Sequence, residues 1–218
     1  ANMITLAFFL LWPGEYTATP SETTPFWLTD LQLSSGGVYI DLFTAPDAAL
    51  YAATFVSLTF TDQKNGVRGK VIVLGRSGNP AFCPVLAVVR RVKHLRAHCT
   101  LPETPLSVYF EHGKWRRVSP LNITVILRTV VLALGPQNLG FSPSDISARC
   151  LRAAGAMALL YAQVDTNVIV ICLLGRWRSN EMLRYLHLQA EPVMRNFAQV
   201  MVTGSVYTLH PNTALAAP

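Results

Sequence analysis

Residues 146–160 read ISARCLRAAGAMALL, residues 164–172 read VDTNVIVIC and residues 173–187 read LLGRWRSNEMLRYLH. Arg149 and Arg152 stand three apart, which predicts a shared face if the segment is helical. Arg176, Trp177 and Arg178 follow Gly175, and Tyr185 comes nine residues after Arg176. Arginine presents a planar fork of donors that matches the oxygens of a phosphate. Tyrosine carries an oxygen nucleophile. Two guanidinium clusters followed by a tyrosine therefore point to chemistry on a phosphate.

The same residues resemble the catalytic core of the tyrosine recombinases, the phage-integrase family, and in wording the integrase-like reading frames of mobile elements. The family's pattern is His-x-x-Arg on one helix, then Leu-Gly-His or Gly-Trp, then a tyrosine nine residues after that His or Trp. Arg149-Cys150-Leu151-Arg152 is similar to the first box and Leu174-Gly175-Arg176 to the second. Tyr185 falls at the nucleophile's spacing. The resemblance implies an α+β fold, mainly α: a helical catalytic domain with a small antiparallel β-sheet over residues 1–203, then a flexible tail over residues 204–218. It implies DNA breakage and rejoining, as in site-specific recombination or integration, through a covalent phosphotyrosine intermediate. Double-stranded DNA is the implied partner, with self-association on it, and no cofactor or metal is implied.

Residue by residue, the resemblance makes Tyr185 the nucleophile and Arg152 the second-box arginine. Arg149 stands where the family has histidine; it can donate to a phosphate but cannot act as a base near neutral pH. Arg176 stands at the His/Trp position, with Trp177 beside it, to contact phosphate or buttress the nucleophile. Leu10-Leu11-Trp12-Pro13-Gly14-Glu15 resembles the family's Leu-Arg-x-x-Glu box, with Trp12 where the first catalytic arginine belongs. That departure carries a second expectation: a decayed copy that still binds DNA but no longer cuts it. The family's N-terminal DNA-clamping domain finds no match, which implies weak, salt-sensitive DNA binding.

The 218 residues suffice for one domain with a sizeable core. Half the chain is hydrophobic and mean hydropathy is +0.33, yet no apolar run reaches the roughly 18 residues of a spanning helix. Met3–Trp12 has no Lys or Arg before it and reads as a buried helix rather than a secretory signal. Cys83, Cys99, Cys150 and Cys172 form no C-x-x-C pair, so reduced, buried thiols are expected. The expected location is intracellular, and nuclear in a eukaryotic host.

The net charge of +6 is unevenly spread. Residues 1–63 hold six acidic residues and no Lys or Arg, a balance of −6. Residues 64–218 hold all 18 basic residues and the other six acids, a balance of +12. A polyanion would be held by that later part, although a basic surface can also be simply solvated.

Along the chain, an apolar helix over 3–12 is expected to stop at Pro13-Gly14, and residues 16–26 read as a loop. Phe26–Leu33 leads into a sheet whose strands are Val38–Leu42, Thr54–Thr61 and Lys70–Leu74. Asn65-Gly66 marks a hairpin turn between the last two. Lys64 on that turn is either the family's leaving-group acid or a turn lysine in water. Pro84 opens a helix to about Cys99 whose basic residues either track a DNA backbone or are solvated. His94 and His98 are four apart but lack further ligands for a metal. Lys114–Arg117 leads to a capped helix over about 121–134, which places the Asn122-Ile123-Thr124 glycosylation pattern inside a helix. Ser142-Pro143-Ser144-Asp145 reads as the cap of the helix carrying Arg149 and Arg152. The small residues of 153–158 invite close helix packing. An arginine buried on that helix needs an anion, and Asp145 is the one acid near it in sequence. The run 168–174 has strand periodicity, but the resemblance implies a helix there. A helix over 179–189 carries Tyr185, and Pro192 opens a last one.

Overall fold

The computed structural model describes residues 2–17, 26–61, 68–98, 101–161 and 176. Lys64, Trp177, Tyr185, the 168–174 run and the 204–218 tail lie outside these residues. All the described residues belong to one compact unit, Ala1–Arg176.

The apolar opening forms helix α1, Asn2–Phe8, shorter than the single helix expected over 3–12. Leu10 breaks it, with a left-handed φ of 48°. Pro13 does not stop a helix but begins one: it is the first residue of α2, Pro13–Tyr16. A proline's fixed φ suits that position, where its missing N–H is not needed.

The sheet starts earlier than expected. Strand β1, Leu31–Ser35, turns through Gly36 and Gly37 into β2, Val38–Ile40. Both glycines have positive φ, which a tight hairpin turn requires. A helix that sequence periodicity did not flag, α3 (Asp47–Ala52), follows. Then come β3, Phe55–Phe60, and β4, Lys70–Gly75, in the positions expected. The order is β2-β1-β3-β4, and each neighbouring pair is antiparallel. Alternation decides the faces: Leu31, Leu33, Val56, Leu58, Phe60 and Ile72 are buried. Helix α4, Pro84–Arg96, contributes Val85, Val88, Val89, Val92 and Leu95 to the same core. Each such aliphatic side chain contributes about 1.5–3 kcal/mol when fully buried.

After α4 the chain makes a second hairpin, β5 (Val108–Glu111) and β6 (Lys114–Arg117). Its turn, His112-Gly113, has positive φ at both residues. Helix α5, Pro120–Leu134, has Ser119 as its cap, with the Asn122 N–H donating to Ser119 Oγ at 3.2 Å. Asn122 thus lies in the helix, as expected. The short α6, Pro136–Leu139, follows, and then a single 3-10 turn over Pro143–Asp145. Helix α7 begins only at Cys150 and runs to Tyr161. The described residues therefore build a mixed α and β fold with a small antiparallel sheet. None of their helices is long and apolar enough to cross a membrane.

The small residues of α7 do what their size permits. α7 packs against α1, and a Cβ built on Gly155 would collide with the Ala7 carbonyl oxygen and lie 2.6 Å from Leu10 Cδ2. Gly155→Val should cost about 1–3 kcal/mol through overpacking. Urea unfolding at neutral pH reads this directly, and a variant as stable as wild type would rule out the close approach.

Tyr16 is almost fully buried, and burial pushes its phenol up to about 12, opposed by the Arg91 guanidinium. An unfolded tyrosine titrates near pH 10, so above about pH 10 the unfolded chain releases this proton first. Stability is then lost as pH rises from about 10 to about 12. Tyr16→Phe should remove about 2–3 kcal/mol of that loss, measured by denaturant unfolding across this interval. An identical pH dependence in the variant would contradict the assignment.

Candidate functional site

The corner between α1 and α2 gathers two of the three arginines of the sequence pattern, Arg152 and Arg176. Arg152, on α7, is 1% exposed, and Arg176 is 5% exposed. Arg152 Nη1 donates to the Leu10 carbonyl. Arg176 Nη2 donates to the same carbonyl at 3.4 Å, and its Nη1 donates to the Phe9 carbonyl at 3.3 Å. The left-handed turn at Leu10 sets where that carbonyl sits, a conformation costing on the order of 1–3 kcal/mol in a bulky residue. Hydrogen bonds from charged donors, worth about 1.5–3 kcal/mol each, offset that cost.

Aromatic rings flank both guanidinium groups. Arg152 Cζ stands 4.5 Å from the Trp12 ring centroid and Arg176 Cζ 4.0 Å from that of Phe60. A desolvated cation–π contact of this kind is worth about 2 kcal/mol. Trp12 thus faces Arg152 with its π-system at the position where the sequence pattern expects another cation.

Glu15 completes the corner. Its Oε2 accepts from the Trp12 backbone N–H at 2.7 Å and from Arg176 Nη2 at 2.8 Å. Both side chains of this ion pair are nearly inaccessible. Burial pulls the Arg176 guanidinium below its ordinary value, and the Glu15 carboxylate pulls it back up. Lys70, at the start of β4 and paired with Phe60 in register, feels the same charge. Burial first, and then Arg176, holds its ammonium below the usual lysine range.

Several expectations need correction. Arg149 and Arg152 do not share a helix face. The Ser142–Asp145 cap closes only the 3-10 turn, and the backbone is extended at Ile146 before α7 starts. Arg149 therefore lies in the turn before α7, exposed, and its carbonyl accepts the Arg152 and Ala153 N–H groups. Asp145 is not the partner of Arg152: it is exposed and its carboxylate accepts the Ser142 N–H at 2.8 Å. The acid in the cluster is Glu15, far away in sequence. Its sequence signal is the Leu-x-x-x-Glu phrase at residues 11–15. Lys70 carried no sequence signal.

The basic residues of α4 are engaged within the fold rather than forming a free cationic face. Arg91 is buried and its Nε donates to the Leu106 carbonyl at 2.6 Å. Lys93 pairs with Asp47 at 2.7 Å, Arg96 donates to the Ala45 carbonyl, and Arg90 to the Pro80 carbonyl. His94 accepts the Phe110 N–H at 3.1 Å, and His98 stacks on Phe110. Among the described residues no group of three His, Cys, Asp or Glu is placed to hold a metal. Cys83 is buried and Cys150 half-buried, both as free thiols; Cys99 and Cys172 lie outside the described residues.

Removing one partner of a buried ion pair strands the other charge and costs about 3–5 kcal/mol. Glu15→Ala should destabilise by that amount, and Glu15→Ala with Arg176→Met should recover a large part of it. A double-mutant cycle by urea unfolding measures the coupling; additive effects would mean that the pair does not act as a unit. No protein-family model, curated protein or solved structure matches this chain.

Proposed function

We propose that this chain is a DNA strand-exchange domain of the tyrosine-recombinase kind, with Arg152 and Arg176 at its phosphate site. The observation that carries the reading is their convergence on one backbone carbonyl, Leu10, from α7 and from a turn far along the chain. The two boxes of the sequence pattern name these two arginines and Arg149, which lies outside the cluster. Mixed α and β architecture with a small antiparallel sheet is compatible with such a domain.

In this reading the Tyr185 oxygen attacks the phosphorus of a DNA phosphodiester. The phenol gives up its proton, a Tyr185 Oη–P bond forms, the bond from phosphorus to one sugar oxygen breaks, and the departing oxygen takes a proton in return. Attack concentrates negative charge on the non-bridging oxygens, where guanidinium groups stabilise it. Lys64 is the acid that the resemblance implies. Lys70 is a second candidate, because its lowered pKa eases proton release. A hydroxyl of a second strand then attacks the phosphotyrosine and frees Tyr185, so the phosphodiester is conserved overall.

A second reading has its own support. Trp12 covers Arg152 and Glu15 engages Arg176, so both guanidinium groups already have partners within the fold. That favours a decayed copy which binds DNA without cutting it. Loss of one transition-state donor costs about 10²–10³ in rate.

Incubation with a nicked suicide duplex separates the two. An active enzyme gives a covalent adduct that Tyr185→Phe abolishes. A decayed copy gives none as wild type but retains duplex binding that weakens steeply with salt. An adduct appearing only in Trp12→Arg would place the loss at that position. Neither adduct nor duplex binding at low salt would overturn both readings.

A further inference from the structure

A groove of about 360 Å³ is lined by residues that include Leu101, Glu103, Val108, Trp115, Arg116 and Arg117 and none of the arginine corner. That volume is within the range of sites that take small ligands. One wall is the β5–β6 hairpin. Its register pairs Val108 with Arg117 and Phe110 with Trp115, so Trp115 and Arg117 share one face of the ribbon. Phe110 and His98 meet the Trp115 ring edge-on, at 5.2 and 6.0 Å between centroids, and hold it in place. Trp115 nevertheless remains 44% exposed.

Every residue of β6 is exposed, and three of its four are basic. Arg116 pairs with Glu111 at 3.3 Å. Among the described residues, Lys114 and Arg117 form no ion pair. A fixed, exposed indole beside unpaired cations offers a flat π-surface for a base and donors for the phosphate next to it. A duplex keeps its bases stacked inside and cannot use the indole.

We propose that this groove binds single-stranded nucleic acid, with a base on Trp115 and backbone phosphate on Arg117. The site does not rest on strand-exchange chemistry, and its test needs no covalent step. The full chain is titrated into labelled single strands of oligo(dT) and oligo(rU), and into a duplex of equal length, at two salt concentrations. Trp115→Ala should weaken single-strand binding by about 5- to 150-fold and leave duplex binding unchanged. Arg117→Ala should reduce the slope of log affinity against log salt by about 0.7.

If Trp115→Ala lowers thermal stability, the exposed Arg117→Glu carries the test alone, with a larger loss of single-strand affinity expected. A preference for one strand tells which sugar the groove accepts, and equal affinity shows that the sugar is not read; both support the site. Single-strand affinity unchanged in stable Trp115→Ala and Arg117→Glu variants would overturn it. So would a wild-type chain that binds no single strand. Dimerisation that Leu101→Asp disrupts, with no nucleic acid bound, would instead make the groove a contact between two copies of the chain.

Discussion

One carbonyl organises the centre of this fold. The Leu10 oxygen accepts from guanidinium groups supplied by α7 and by the turn at Arg176, and its orientation depends on a left-handed residue between two short helices. Neither arginine is tolerable in the interior without such acceptors, because burying a guanidinium costs several kcal/mol before any contact repays it. The corner in turn depends on the arginines, since an unsatisfied buried carbonyl carries its own cost. Packing reinforces the arrangement: Gly155 lets α7 come close enough to α1 for Arg152 to reach Leu10. Trp12 and Phe60 supply the faces on which the two cations lie.

Glu15 shows how one short device serves two purposes. An acid that folds back onto the backbone N–H three residues earlier also occurs at Asp30, toward Trp27, and at Asp145, toward Ser142. In those cases the carboxylate closes a single turn. At α2 the same geometry aims Glu15 inward, and the oxygen that caps Trp12 also receives Arg176. The corner therefore supplies shape and charge together. An anion approaching these arginines meets groups already oriented by the fold, and must compete with Glu15 for one of them. Both guanidinium groups are thus partnered within the fold.

The parts of the fold legible in the sequence were those with strong local signals. Thr54–Thr61 alternates with period two, and β3 formed there because one side of an antiparallel sheet must be apolar. The serine cap before Pro120 marked α5 correctly for an equally local reason. The misreadings came where local signals were ambiguous. Pro13 is compatible both with ending a helix and with starting one, and only the turn at Leu10 decides. Ser142-Pro143-Ser144-Asp145 is a genuine cap, but it caps a single 3-10 turn, so Arg149 ended up exposed. For the α4 cations the sequence left the choice open, because the carboxylate and carbonyls that engage them lie 10–51 residues away.

The sequence by itself supplied the residues of the candidate site: Arg152 and Arg176, Trp12, and Glu15 three residues beyond it. It also determined β3, β4, α4 and α5, because periodicity, proline and capping residues act over a few positions. Tertiary structure alone decided that Arg152 turns inward while Arg149 stays in water, that Glu15 rather than Asp145 is the acid of the cluster, and that Lys70 lies in its field. Those outcomes depend on which distant backbone groups come within about 3 Å of a side chain, the reach of a hydrogen bond. No local pattern carries that information, since it arises when α1, α7 and the sheet pack together.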